Sequence, residues 1–173
     1  MKLLFMFLIL CSCSSQSLKK YENEKPELDL RKFFNGKIEA LGIVQNRSGE
    51  VIQRFKVDID ASWQNNTATL DEDFVYSDGS KSKRVWTLND LGNNEYVGTA
   101  GDIIGKAKGK VAGNAFYFKY VLDVPVGDKT YHITLDDWMY LLDKKTLLAR
   151  SYMTKFGFDV GEVTLVMINK DMK

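Results

Sequence analysis

Cysteine and histidine are nearly missing from this chain. Two cysteines occur in 173 residues, Cys11 and Cys13, both at the extreme N-terminus, and His132 is the single histidine. The rest of the chain can build no disulfide framework and no Cys-rich zinc site, so most metal and nucleophile chemistry is excluded. No Gly-x-Ser-x-Gly stretch is present, which removes the strand-to-helix nucleophile elbow. An excess of charge of one sign is missing too: 24 Lys and Arg stand against 23 Asp and Glu. Nothing drives such a chain onto a nucleic-acid backbone. No apolar run reaches the roughly 20 residues that a membrane-spanning helix needs. What remains is 45% hydrophobic, 12% aromatic and 27% charged, the composition of one folded domain. These absences exclude nucleic acid as a partner, leave no cofactor or metal in view, and tilt against an enzyme.

The apolar residues that do run together lie at the start. Leu3-Leu4-Phe5-Met6-Phe7-Leu8-Ile9-Leu10 follows Met1-Lys2 and has the length of a secretory h-region. Leu10-Cys11-Ser12-Cys13 then resembles a bacterial lipobox, in which cleavage leaves Cys13 as the first mature residue with its thiol carrying diacylglycerol. Residues 1–12 are thus expected to be a lipoprotein signal peptide. Their removal takes away one basic residue, Lys2, and leaves a chain of balanced charge, so the membrane is expected to hold it through lipid and not through electrostatics. Ser14 stands where inner-membrane lipoproteins usually have Asp, and by that resemblance the protein belongs at the outer membrane, facing the periplasm. Residues 13–27 are polar, lack apolar periodicity and read as a flexible tether.

Beyond them, in residues 28–173, the dominant period is two. Phe55, Val57 and Ile59 alternate with Lys56, Asp58 and Asp60. Phe116, Phe118, Tyr120 and Leu122 do the same, as do Val163, Leu165 and Met167. Each run has one dry face and one wet face, as in a half-buried strand. Turn residues at Arg47-Ser48-Gly49, Ser77-Asp78-Gly79, Gly113-Asn114, Gly127-Asp128 and Asp143-Lys144-Lys145 separate them, which predicts a meander of antiparallel strands. About eight to ten strands follow from the count, and a flat sheet of that size leaves edges that closure removes. The expected fold is therefore all-β, a single antiparallel up-and-down β-barrel of lipocalin-like shape, with a two-sheet sandwich as the competing arrangement. A short helical turn over Leu28–Phe34 is placed to plug one end. Gly98, Gly101, Gly105, Gly109 and Gly113 concentrate where a curved sheet needs bends. Charges on the wet faces exclude a transmembrane barrel.

The runs Leu70-Asp71-Glu72-Asp73-Phe74-Val75-Tyr76-Ser77-Asp78-Gly79, Arg84-Val85-Trp86-Thr87-Leu88, Gly98-Thr99-Ala100-Gly101-Asp102, Asp136-Asp137-Trp138-Met139-Tyr140-Leu141 and Lys155-Phe156-Gly157 resemble an uncharacterised family of Gram-negative bacterial lipoproteins, a domain of unknown function. The likeness extends from about Leu28 to the C-terminus. It implies an exported, lipid-anchored β-domain of lipocalin-like or calycin-like shape and brings no reaction, ligand or catalytic residue. Towards lipocalins themselves the likeness is architectural, since Ala61-Ser62-Trp63 departs from their Gly-x-Trp signature in both residue and position.

Charges on the dry faces are the informative anomaly. Glu72 shares a face with Leu70, Phe74 and Tyr76, and after the Asp78-Gly79 turn Arg84 shares one with Trp86 and Leu88, so Glu72 is expected opposite or diagonal to Arg84 or Trp86. With Lys144-Lys145 as a turn, Asp137 falls diagonal to Arg150, with Tyr152 on the same face. Glu72, Arg84, Trp86, Asp137, Arg150 and Tyr152 are the candidate site. They read as an interior ion-pair network, as a polar pocket floor where Arg84 and Arg150 take a carboxylate or phosphate, or as a catalytic carboxylate pair. His132, on a strand face with Thr130 and Thr134, reads as an exposed or satisfied side chain. Lys106, Lys108 and Lys110 read as a solvated stripe that protects an edge.

The expected function is non-enzymatic binding of a small apolar or amphipathic molecule, such as a lipid or fatty acyl compound, by a monomer anchored in the bacterial envelope. The alternatives are a structural or interaction lipoprotein with a filled barrel and, third, a hydrolase-like enzyme using interior carboxylates. The anchor is directly testable: mass spectrometry of the mature N-terminus should show an acylated Cys13, and an unmodified terminus elsewhere would refute it.

Overall fold

The computed structural model describes residues 16–173. The expected signal peptide, residues 1–12, and the expected anchor Cys13 lie outside the described residues. Ten strands form in chain order: β1 (Gly36–Asn46), β2 (Val51–Gln64), β3 (Thr67–Tyr76), β4 (Lys81–Gly92), β5 (Glu95–Thr99), β6 (Ile103–Ala112), β7 (Ala115–Val126), β8 (Lys129–Leu141), β9 (Thr146–Lys155) and β10 (Phe158–Asn169). Each pairs antiparallel with its neighbour in sequence, and β10 returns to pair with β1. The result is a closed up-and-down barrel. No edge remains to recruit a second sheet, which removes the sandwich alternative.

The alternation sets which residues face inward. Val57, Ile59 and Ala61 on β2, Ala68 and Leu70 on β3, Trp86 and Leu88 on β4, Phe116, Phe118 and Tyr120 on β7, and Leu147 and Ala149 on β9 are buried. Between them the outward positions carry ion pairs such as Lys83 with Asp71 at 2.8 Å and Lys170 with Glu39 at 2.8 Å. Exposed pairs of this kind contribute little stability, ~0–1 kcal/mol each. Lys106, Lys108 and Lys110 are exposed as well, Lys110 lying 3.0 Å from Glu95.

Two glycines make room for rings. A Cβ at Gly98 would lie 2.7 Å from the Phe118 ring, and one at Gly109 would lie 2.5 Å from Phe116. Phe116 and Phe118 stack against each other with centroids 5.2 Å apart. These two positions serve packing, while Gly105, with φ +72, sits at the register shift between Ile104 and Lys108.

One end of the barrel is plugged. The helix α1 (Leu30–Phe33) starts at Asp29, whose carboxylate accepts from the backbone N–H groups of Arg31 and Lys32. Leu30, Phe33 and Phe34 are buried in the barrel opening. Trp63 Nε1 donates to the Phe34 carbonyl at 2.9 Å, and Arg31 reaches Asn66 and Asp90 at 3.2 and 3.3 Å. The stretch before the plug differs from the tether expected over 13–27. Leu18–Tyr21 forms a 3₁₀ turn, Tyr21 packs on Tyr140 with ring centroids 5.3 Å apart, and Leu28 N–H donates to the Gly113 carbonyl at 2.8 Å. Tyr21 also meets Trp138 with ring centroids 6.2 Å apart, Gln16 Nε2 donates to the Tyr140 hydroxyl, and such scattered contacts leave no periodic trace in sequence.

Asn169, fully buried at the end of β10, ties strand and plug together. Its Nδ2 donates to the Phe33 and Asn35 carbonyls at 2.7 and 3.0 Å, while its Oδ1 accepts from the N–H groups of Asp171 and Met172. Replacement Asn169→Ala strips partners from four backbone groups and should lower unfolding free energy by about 3 kcal/mol in urea titrations. A loss within experimental error would show that the plug is held without Asn169.

Candidate functional site

Inside the barrel lies a cavity of 420 Å³. It runs from Phe34 at the plug towards half-buried Val44, Phe55, Tyr76, Val124 and Val163, which stand near the hairpins at the opposite end. Its wall is apolar and aromatic apart from one cluster, in which Glu72, Arg84, Tyr120, Asp137 and Ser151 meet. A few polar groups converging in a concave apolar space are the usual form of a small-molecule site.

Strand register builds this cluster. Glu72 on β3 stands directly opposite Arg84 on β4, one step from the Leu70 and Trp86 pair on the same face. Arg84 turns most of its guanidinium to Asp102, in the β5–β6 turn: Nε and Nη2 donate to Asp102 Oδ2 at 2.9 and 2.7 Å. Glu72 is left with the third nitrogen, Nη1, at 3.9 Å, too far for a hydrogen bond. The guanidinium also lies over the Phe74 ring at 5.5 Å. Across the cavity Tyr120 on β7 donates to Asp137 Oδ2 at 3.0 Å, and Ser151 on β9 is the register partner of Asp137. Oδ1 of Asp137 is buried without a hydrogen-bond partner. Trp86 packs edge-on against Tyr120 with centroids 5.3 Å apart.

Arg150 and Tyr152 do not join this cluster. Both face outward, where Arg150 Nε donates to Glu162 at 2.7 Å and its guanidinium lies 5.2 Å from the Tyr152 ring. The cause is one residue of loop. Between β8 and β9 the Leu142 N–H donates to the Thr146 carbonyl at 2.9 Å, so the turn is Asp143–Lys145, three residues and not the two of a Lys144-Lys145 turn, with the Asp143 carboxylate accepting from Lys145 and Thr146 N–H. Asp137 therefore pairs with Ser151 while Trp138 pairs with Arg150. Since side chains alternate with period two, a shift of one residue exchanges every inward position for an outward one. The pocket floor with two arginines is thereby corrected to a floor with one.

Three groups escaped the sequence reading. Tyr120 was visible as a polar tip on a dry face. Ser151 would have followed from the correct loop length. Asp102 sits in a turn, where no periodicity assigns a direction. His132 is exposed on the outer wall, its Nε2 3.3 Å from Asp123. Among the described residues, no group of three His, Cys, Asp or Glu side chains could hold a metal ion.

Burial governs the charge state of the two carboxyls. It pushes Glu72 up to about 7, against the lowering effect of Arg84, and pushes Asp137 up to about 6, against the hydroxyls of Ser151 and Tyr120. Burial likewise raises the Tyr120 hydroxyl well above its ordinary value, so it stays a donor.

Fold and site together define a closed lipocalin-like barrel that holds an apolar chamber with an acidic cluster in its wall. The chain belongs to the family described as a protein of unknown function (DUF3833), which it matches over residues 7–169. Comparison with curated proteins gave no match. Among solved structures it is similar to the S-type phycobiliprotein lyase CPES from Guillardia theta, with a TM-score of 0.61, 10% sequence identity, and coverage of 92% of this chain and 100% of the lyase chain. At that identity the likeness is one of fold.

The raised carboxyls make a signed prediction for stability. Each group is protonated more readily folded than unfolded, so its favourable contribution is complete below the unfolded value near 4 and is lost as pH rises through 6 to 7. The melting temperature should fall between pH 5 and pH 8 in the protein. In a Glu72→Gln, Asp137→Asn double variant that slope should flatten, and an unchanged slope would place its origin elsewhere.

Proposed function

We propose that this protein is a lipid-anchored protein of the bacterial envelope that binds a small apolar or amphipathic molecule inside its barrel without transforming it. The observation that carries this reading is the cavity: 420 Å³ of space walled by side chains such as Leu70, Trp86, Phe118, Leu135 and Met167. That volume falls within the roughly 300 to 1,000 Å³ of small-molecule sites. A barrel serving only as a rigid body would gain by filling it, because unfilled apolar space forfeits dispersion contacts. The likeness of fold to a phycobiliprotein lyase supports a barrel that holds a ligand.

Binding without reaction fits the electrostatics. Acid/base catalysis by two carboxyls works when their environments split the pair, one protonated and one ionised. Here burial moves Glu72 and Asp137 in the same direction, to about 7 and about 6. The lipid anchor at Cys13 rests on the lipobox-like sequence Leu10-Cys11-Ser12-Cys13. Tyr21 lies against Tyr140 near the plugged end, so an anchor a few residues upstream would hold the barrel by that end and leave the other clear.

Native mass spectrometry of the full protein extracted from envelopes tests the reading. A reproducible excess mass that disappears on denaturation is the expected result. A protein that is empty in every preparation would count against a carrier and favour a structural barrel.

A further inference from the structure

The polar cluster says which end of a ligand the chamber can accept. Among the described residues that line the cavity Arg84 is the only cation, and Asp102 already takes its Nε and Nη2. Facing it are Glu72, whose carboxylate takes part in no hydrogen bond and comes no closer than 3.9 Å to the guanidinium, and Asp137. Asp137 is 6% exposed and lines the cavity, with Oδ2 engaged by Tyr120 and Oδ1 left unpartnered. Three carboxyls thus surround one guanidinium. A carboxylate or phosphate entering this space would find only Nη1 of Arg84 free of Asp102 and would stand there beside Glu72 and Asp137 in a poorly screened interior, where like charges repel strongly. A donor meets the opposite situation, since a buried carboxylate oxygen without a partner is costly and each hydrogen bond given to it is charge-assisted.

We infer that the ligand's polar end is a hydrogen-bond donor, an amine above all, seated against Asp137 and Glu72, and that anionic headgroups are rejected. The inference rests on the reading that the barrel holds a ligand, and it narrows the class to amphipathic molecules with a cationic or neutral donor head and an apolar body. Arg84 then acts as an internal counter-charge that keeps the acidic cluster tolerable while the chamber is empty. Its salt bridge to Asp102 holds it away from the ligand.

Three compounds of one chain length separate the possibilities. Decylamine, 1-decanol and decanoate are titrated at pH 7.5, below their aggregation limits, into the full protein carrying bound Nile red, a neutral apolar probe. Decylamine should displace the probe at least tenfold more tightly than decanoate, with decanol between them. The preference should shrink below threefold in Asp137→Asn and in Glu72→Gln, each checked by circular dichroism for retained fold. Decanoate binding as tightly as decylamine or more so would overturn the inference and leave the carrier reading standing, and the wild-type protein alone decides this. A preference unchanged in both variants would overturn the assignment to these carboxyls. Failure of Nile red and all three compounds to bind would instead refute the carrier reading.

Discussion

The pairing of β10 with β1, from Ile38 opposite Asn169 to Asn46 opposite Gly161, is the constraint on which the rest of the molecule depends. Without it the ten strands would form an open sheet with two bare edges. With it they enclose an interior whose width follows from the strand number. Side chains can fill a barrel of about eight strands, and the diameter grows roughly linearly with the count. Ten strands overshoot that limit. The plug made by Leu30, Phe33 and Phe34 takes up one end of the surplus space, and the 420 Å³ chamber is what remains.

Polar groups in such a chamber are hard to explain by stability. A buried ion pair usually gains no more than a well-packed apolar replacement of similar volume. Glu72 and Asp137 are worse placed than most, since the first has no hydrogen bond and the second has an unpartnered oxygen. The burial that raises both carboxyls is the same burial that makes the apolar wall useful. A barrel selected only to stay folded would have Leu or Met at these positions. Their presence fits the proposal that the interior meets a ligand, which stability alone does not account for.

The parts of this architecture legible in sequence are those written in period two. Phe55-Val57-Ile59 and Phe116-Phe118-Tyr120-Leu122 assign inward faces with no knowledge of partners, and the Leu28–Phe34 segment announces the plug by breaking the alternation. The Glu72 and Arg84 pairing was readable because it follows from matching the two dry faces and not from a turn length, the turn itself being the three residues Ser77–Gly79 closed by the Tyr76 N–H on the Ser80 carbonyl. Arg150 and Tyr152 failed for the converse reason: Asp143 caps a three-residue loop, and one residue of loop reverses a face along all of β9. Asp102 could not be found in this way, because a turn residue has no face until the chain folds. The docking of Tyr21 on Tyr140 and Trp138 is equally silent, being a few contacts between segments more than 100 residues apart in sequence.

The two ends of the barrel divide the work. At the plugged end Asn169 and Trp63 donate from the wall to plug carbonyls and Arg31 of the plug donates to Asn66, so opening there would break several hydrogen bonds at once. At the other end Phe74 and Tyr76 stack with centroids 6.0 Å apart, half-buried beside the cavity, with no comparable set of bonds to break. Under the proposed binding role, entry past these rings breaks fewer hydrogen bonds than entry past the plug. Arg84 and its partner Asp102, on the β5–β6 turn at that same end, stand between the rings and Asp137. A molecule moving inward from there meets aromatic surface first, a neutralised ion pair second and unsatisfied acceptors last. That order lets an apolar body begin to desolvate before its polar end must give up water, and it reserves the strongest interaction for a group that can donate.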